Sequence, residues 1–441
     1  MIAPYTEYNK KERFIEFSID IYFNGESGTP LKCTRSNYLV DCNVLEEACT
    51  DSDTFIGSPS SNELSFRLLG SSGLFNPANS EGEYYGKIII GLKVAVFCRP
   101  IAEEPYEWQP LGVYYVAEWQ TDITGVTADV TAYDSLYTLL TDNTTSLKVL
   151  KDCSYNDICV AFFNANNKTA VIRGDLSEVL SYAFIDESNS KFLANFSIGA
   201  LSYIYCDHNG VINVLDIENN GPVDYTITDS DQIITISSKQ SIVLSYNGTS
   251  LTYYKMQLSE LKSVLVNKAQ HAPYGVTAFN SQSFSEVPLY AIGLSKIASS
   301  VSCSLSSIEC NATDVSYEVA CNSSDGGDFD ITLFGYVVES VPIVISDNND
   351  GMLNISNKYV QNEEYATHLK ALLQRYLSLN VPVLELEVRG NPAIPIGSKL
   401  HVYSEFYKVD FTGILIRQNF KYDGGLSATI TVLNSDIFGG A

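Results

Sequence analysis

Apolar and polar residues alternate along residues 14–23, 63–69 and 126–134. A period of two puts successive side chains on opposite faces of an extended chain, so each stretch predicts a half-buried strand. The apolar run at residues 84–98 predicts one long strand, or two joined near Gly91. Residues 111–120 predict another strand after the break at Pro110. Gly70–Gly73 and the 124–125 turn punctuate these elements. Residues 135–140 predict a short helix capped by Asp134. Strands separated by turn signals make residues 1–145 an N-terminal β-barrel-like domain.

Beyond that point the pattern changes. Residues 156–165 predict a short helix, and residues 197–215 run into a hairpin whose turn is Asp207–Gly210. Residues 146–220 therefore form a small α+β domain. Alternation returns at residues 232–237 and 245–256, so 221–300 are expected to supply strands of a second barrel. Residues 301–346 are rich in Ser, Asn and Asp and predict a β-rich loop segment. In residues 347–441 one helix precedes the last strands, which complete that second barrel. Residues 362–377 carry the helix: Tyr365, Leu369, Leu372 and Tyr376 lie on one stripe, with Glu363 and Glu364 in the first turn and Arg375 in the last. Strands follow at 382–388, 399–403, 409–419 and 426–433, the last two around Asp423-Gly424-Gly425. The fold class expected is mainly β with an α+β insert: two β-barrel-like domains, a small α+β domain and a β-rich segment. No internal repeat of fixed period is visible.

Composition agrees with this picture. A chain of 441 residues suits two to four domains, and 45% apolar against 18% charged residues supplies packed cores. The 29 Tyr and 20 Phe suit pleated surfaces, and tyrosine is also favoured where proteins meet. The formal net charge is −25, from 27 Lys and Arg against 52 Asp and Glu. Stable binding to nucleic acid or to an anionic membrane needs a basic surface, so both are excluded as expectations. An acidic surface instead lets DNA pass without sticking. No signal peptide or membrane span is expected.

The search for chemistry returns no catalytic, cofactor-binding or metal site residues. Phosphate loops, G-x-S-x-G and H-E-x-x-H are missing. The ten cysteines form no C-x-x-C pair, and the four histidines, His208, His271, His368 and His401, form no ligand-like repeat, so zinc is not expected. Reduced thiols are the default, although Cys303, Cys310 and Cys321 could hold one disulfide. The pairs Glu103–Glu104 and Glu363–Glu364 read as surface acids. The acidic stretches 347–351 and 324–328 do not match a calcium loop and read as turns.

Three stretches carry a resemblance. The first is Glu63-Leu64-Ser65-Phe66, the strand at 88–97, then Trp108-x-x-Leu111-Gly112-Val113-Tyr114-Tyr115, ending in Val130-Thr131-Ala132-Tyr133-Asp134. The second is Ile204-Tyr205-Cys206-Asp207-His208-Asn209-Gly210. The third joins the helix at 363–376 to Arg389-Gly390-Asn391-Pro392-x-Ile394-x-Ile396-Gly397 and Phe420-x-Tyr422-Asp423-Gly424-Gly425. In this order they resemble tail or baseplate hub proteins of bacteriophages, notably those of Gram-positive hosts, over residues 55–435.

The resemblance implies a structural, non-enzymatic hub at the distal end of a phage tail, made in the host cytoplasm and carried in the virion. It implies a homotrimer whose paired barrels form a pseudo-sixfold ring. The expected partners are the tail tube or distal tail protein on one side and tip, fibre or spike proteins on the other. DNA would only transit its channel. The chain ends soon after the second barrel, so cell-wall cleavage and receptor binding are expected of other chains. Two alternatives compete: a receptor-binding β-sandwich, which would need exposed aromatics such as Trp108 or Trp119, and a glycan-cleaving enzyme, which would need two carboxylates in a cleft.

Overall fold

The computed structural model describes residues 3–10, 12–50, 54–102, 105–122, 125–141, 143–218, 221–229, 233–239, 246–299, 302–347 and 351–438. Thr124, Gln232, Ser245, the Glu103–Glu104 pair, residues 348–350 and residues 439–441, all named above, lie outside the described residues.

The architecture is mainly β with a small helical insert, as the alternation predicts. The first strands are β1 (Ile15–Ile21), β2 (Leu31–Thr34), β3 (Leu39–Glu47), β4 (Glu63–Leu69), β5 (Lys93–Pro100), β6 (Gln109–Thr121) and β7 (Thr127–Tyr133). The insert holds β8 (Leu150–Ser154), α1 (Tyr155–Ala165), β9 (Ala170–Arg173), β10 (Val179–Ala183), α2 (Asn189–Gly199), β11 (Ser202–Cys206) and β12 (Ile212–Asp216). Next come β13 (Tyr225–Thr228) and β14 (Ile233–Lys239). A second excursion contains β15 (Gly248–Leu258), β16 (Lys262–Ala272), β17 (Gly275–Ser283), β18 (Leu289–Ser299), β19 (Cys303–Cys310), β20 (Asp314–Cys321), β21 (Gly327–Ser346) and β22 (Met352–Ser356). The chain finishes with α3 (Glu363–Ser378), β23 (Val383–Val388), β24 (Lys399–Ser404), β25 (Val409–Tyr422) and β26 (Leu426–Asn434).

Thirteen strands form one sheet in the order β14-β23-β26-β25-β3-β4-β7-β6-β5-β1-β2, with β13 and β24 branching from β25. The first and last parts of the chain are thus two halves of a continuous sheet. They meet at an antiparallel seam, β3 against β25, running from Cys42 opposite Tyr422 to Glu47 opposite Arg417. Period-two burial gives each half an inward face, and Phe17, Leu64, Phe66, Leu386 and Ile430 meet in one core that α3 closes with Leu369 and Leu372. The insert has its own core around Phe162, Phe192 and Phe196. A β-sandwich of β16, β18 and β21 against β17, β19 and β20 has a third, smaller core around Val264, Tyr317, Val319 and Ile331.

Helix ends follow their capping residues. Ser154 and Asp157 form a reciprocal capping box at α1, and Asn362 Oδ1 accepts from Tyr365 N at 2.7 Å to start α3. Three local expectations are corrected. Residues 135–140 run as successive turns, not a helix. Asp134 accepts from Leu136 N at 2.9 Å and from Asn62 N at 2.8 Å, which pins the segment to the start of β4. The run at 84–98 is strand only from Lys93. Gly86 and Gly91 take left-handed conformations (φ 72° and 83°), and the turns between them leave Ile89 and Ile90 58% and 67% exposed. Finally, only β13 and β14 of residues 221–300 join the large sheet; β15–β18 pair with β20, β21 and β22 instead.

Candidate functional site: the sheet seam, its joints and its open face

The inward face of the seam is polar at one end, at Glu46 and Gln418, and apolar beyond it, at Val44, Phe420, Cys42 and Tyr422. Glu46 is 1% exposed, a position where an unpaired carboxylate is costly. Gln418 Nε2 donates to Glu46 and also to the Ile394 carbonyl, at 2.9 Å in the second case. His208, from the hairpin of the insert, places Nε2 2.8 Å from Glu46 Oε1. Burial pulls the His208 imidazole down, but the Glu46 charge, the hydrogen bond to Glu46 and the Asp207 charge together outweigh it and leave His208 above its ordinary value. The neighbouring Glu47 faces Arg417 Nε at 3.2 Å; burial raises this carboxyl and the arginine partly offsets that. Residues from both sheet halves and the insert therefore meet at one buried charged cluster.

A second joint lies beside it. Asn62 Nδ2 donates to the Cys206 carbonyl at 2.9 Å, and Asn62 Oδ1 accepts from Glu47 N at 3.0 Å. Asp134 completes this joint and is pushed up to about 6 by burial, against the pull of its backbone donors. A third joint holds α3. Lys370 Nζ approaches Asp347 Oδ1 at 2.5 Å, Thr249 N and Gln374 Nε2 donate to its other oxygen at 3.0 and 2.7 Å, and these contacts hold the Asp347 carboxyl down at about 2. Tyrosines do the same work without charge. Tyr155 OH donates to the Tyr359 carbonyl at 2.6 Å, Tyr203 OH to that of Phe55 at 2.7 Å and Tyr359 OH to that of Phe184 at 2.9 Å. Tyr155, Tyr203 and Tyr359 are among eight fully buried tyrosines of the described residues.

The face of the sheet over the seam is open. A cleft of about 670 Å³ is lined by Asp41, Glu118, Asp129 and Asp423 against Arg67 and Lys421. Arg67 Nε lies 2.7 Å from Asp129 Oδ1 and its Nη1 3.9 Å from Asp41. The lining is net acidic. It contains no histidine, and its one thiol, Cys42, is buried and pushed far from ionisation by desolvation. The four histidines are dispersed: besides His208, His271 meets Asp328 at 2.8 Å, His368 meets Glu218 at 2.7 Å and His401 meets Asp410 at 2.8 Å. Among the described residues, no three His, Cys, Asp or Glu side chains gather as metal ligands.

Two apolar patches flank the sheet. Phe14 (74% exposed) and Ile101 (60%) sit together where Ile101 N donates to the Phe14 carbonyl at 2.8 Å, beside β1 and β5. At the other end of the strand order, Phe406 (79%) and Tyr407 adjoin exposed Ile234, with Tyr407 OH donating to the Ile234 carbonyl at 3.1 Å. The tryptophans are engaged otherwise. Trp119 Nε1 donates to the Phe75 carbonyl at 2.9 Å, and Trp108 is covered by Arg99 at 4.2 Å and Lys32 at 5.1 Å from its ring centre.

The overall fold is found in solved structures. The 43 kDa tail protein of prophage MuSo2 from Shewanella oneidensis aligns over 96% of this chain and 99% of its own, with a TM-score of 0.53 and 12% identity. The tail protein from Neisseria meningitidis MC58 aligns over 96% and 98%, with a TM-score of 0.53 and 9% identity. The chain shares the fold of these two tail proteins. No family model and no curated protein matches it. At such low identity the likeness is one of fold.

Sequence reasoning did not single out Glu46, Glu47, Asn62 or Gln418. Strand β3 carries Asp41, Asn43, Glu46 and Glu47 among its apolar residues, which weakens its alternation. A signal was present in Glu46-Glu47 itself, two acids in a row opposite a turn histidine, but only the fold reveals their juxtaposition.

Proposed function

We propose that this chain is a non-enzymatic hub at the distal end of a phage tail, joining the tail tube or distal tail protein to tip, fibre or spike proteins. It acts as a homotrimer in the virion, after synthesis in the host cytoplasm, and surrounds a channel that DNA crosses without stable binding. One observation carries the reading: the β3–β25 seam fuses two sheet halves in a single chain. Three such chains supply six halves, which can meet a sixfold tube on one side and a threefold tip on the other. The shared fold with one prophage tail protein and a second tail protein, across nearly their whole length, supports it. So do the apolar patches at opposite ends of the strand order, which suit a head-to-tail ring contact between copies. The net charge of −25 and the acidic cleft favour a wall that repels DNA. The occupied tryptophans speak against a glycan-binding platform.

The test is mass and symmetry. Light scattering of the purified chain should give about three times 48.6 kDa, and electron microscopy of particles should find it in a threefold ring at the tail end. A monomer at all concentrations, a copy number other than three per particle, or cleavage of host glycans would overturn the proposal.

A further inference from the structure

The sandwich carries two cysteines in a specific relation. Strand β19 begins at Cys303 and β20 ends at Cys321, and antiparallel pairing sets them directly opposite each other. One step outward, Asn322 N donates to the Ser302 carbonyl at 3.1 Å. That makes 302/322 a hydrogen-bonded pair. Because such pairs alternate along an antiparallel ladder, 303/321 is the non-hydrogen-bonded kind, in which Cα atoms approach to about 4.5 Å and side chains lie closest. A disulfide accepts Cα separations from about 4.4 Å upward. On its other side Cys321 faces Gly275, which has no side chain to intrude. Cys303 is partly exposed and Cys321 is 1% exposed, so a reagent in solution meets Cys303 first.

The third cysteine of the sandwich lies apart from this pair. Cys310 lies opposite Val315 and its Sγ donates to the Asn311 carbonyl at 3.2 Å. Cys33, Cys42, Cys98, Cys153 and Cys206 each face a residue other than cysteine in their ladders.

We infer that Cys303 and Cys321 form a redox-active pair that closes to a disulfide across β19 and β20 by exchange with a low-molecular-weight disulfide. The Cys303 thiolate attacks one sulfur of the reagent, giving a mixed disulfide and releasing one small thiol. The Cys321 thiolate then attacks the Cys303 sulfur, and the second small thiol leaves. The two protein thiols are oxidised, the reagent disulfide is reduced to two thiols, and the two protons end on those thiols or on buffer. The product ties the open end of a hairpin whose turn lies at residues 311–313. The inference holds whatever assembly the chain joins.

The test uses the full chain, reduced and then freed of reductant. After incubation with oxidised glutathione it is unfolded in denaturant containing N-ethylmaleimide and mapped by mass spectrometry. Alkylated thiols should fall from ten to eight, with the Cys303 and Cys321 peptides linked and released by reductant. Cys310→Ser should leave the linkage unchanged, and Cys303→Ser should abolish it. Amide exchange in β19 and β20 should slow on oxidation and recover on reduction. A Cys303–Cys310 link, a glutathione adduct that stays on Cys303, or ten alkylated thiols would each overturn the inference, and the map of the unsubstituted chain decides even if a variant fails to fold.

Discussion

The large sheet and the peripheral sandwich are both antiparallel β, yet they are held together differently. The large sheet draws strands from both ends of the chain and closes one broad core under α3. The sandwich is assembled wholly within residues 262–346, where β19 and β20 form a hairpin and β16, β17 and β18 pair with strands further along, around a core of few side chains. Long-range pairing with a wide core makes the sheet one cooperative body. Pairing confined to one segment, around a narrow core, makes the sandwich the region expected to open first. The difference assigns shape to the sheet and adaptability to the sandwich.

The largest effect should come from breaking the sheet while sparing the sandwich. At Gly413 a Cβ would run into the Leu433 carbonyl oxygen and Val432, because β25 and β26 approach closely there. Gly413→Ala should cost about 3 kcal/mol, as overpacking against backbone does, and should accelerate amide exchange throughout the large sheet. The reciprocal change, Ile331→Ala at a fully buried sandwich position, should cost about 2–4 kcal/mol and accelerate exchange only in β16–β21. If both variants loosen both regions equally, the two do not unfold separately.

The next effect is in pH dependence, and two carboxylates give it opposite signs. Asp134, raised to about 6 by burial, binds its proton more tightly folded than unfolded. Its contribution favours the fold below about 4 and is lost as pH rises from about 4 to about 6. Asp347, held at about 2 first by Lys370, stabilises above about 4 and loses that contribution as pH falls from about 4 to about 2. Denaturant titrations across this range should show Asp347→Asn flattening the acid limb and Asp134→Asn flattening the slope between about 4 and about 6. The smallest effect should be Asn362→Ala. Loss of the α3 cap should cost about 1 kcal/mol, visible as a small shift in the global unfolding midpoint, since α3 packs on the large core.

The parts legible in the sequence were those whose determinants are local. Helix α3 announces itself through Asn362, the acids of its first turn and Arg375, and its predicted stripe is buried at Leu369, Leu372 and Tyr376. The β11–β12 hairpin follows from Asp207 and Gly210, whose φ is 76°. Residues 88–90 misled because three isoleucines read as strand, while the flanking glycines set turns that leave two of them in solvent. The partners of β15–β18 were misplaced because alternation specifies a strand's face, not its neighbour. For the same reason the joints at Glu46, Asn62 and Asp347 were invisible: each joins residues far apart in the chain, such as Gln418 with Glu46. The resemblance to tail hubs rested on the order of several weak local patterns, and the likeness found is one of fold to tail proteins.

The seam also has a consequence in time. Glu47 pairs with Arg417, which lies 417 − 47 = 370 positions later. A ribosome adding about 5–20 residues per second reaches it roughly 20–70 s after finishing β3. Throughout that interval β3 is an unpaired edge with free backbone donors and acceptors, the kind of template that captures other chains. Several copies translated from one message would present such edges together. Slower initiation, lower temperature or a holdase chaperone should therefore raise the yield of correctly closed chains.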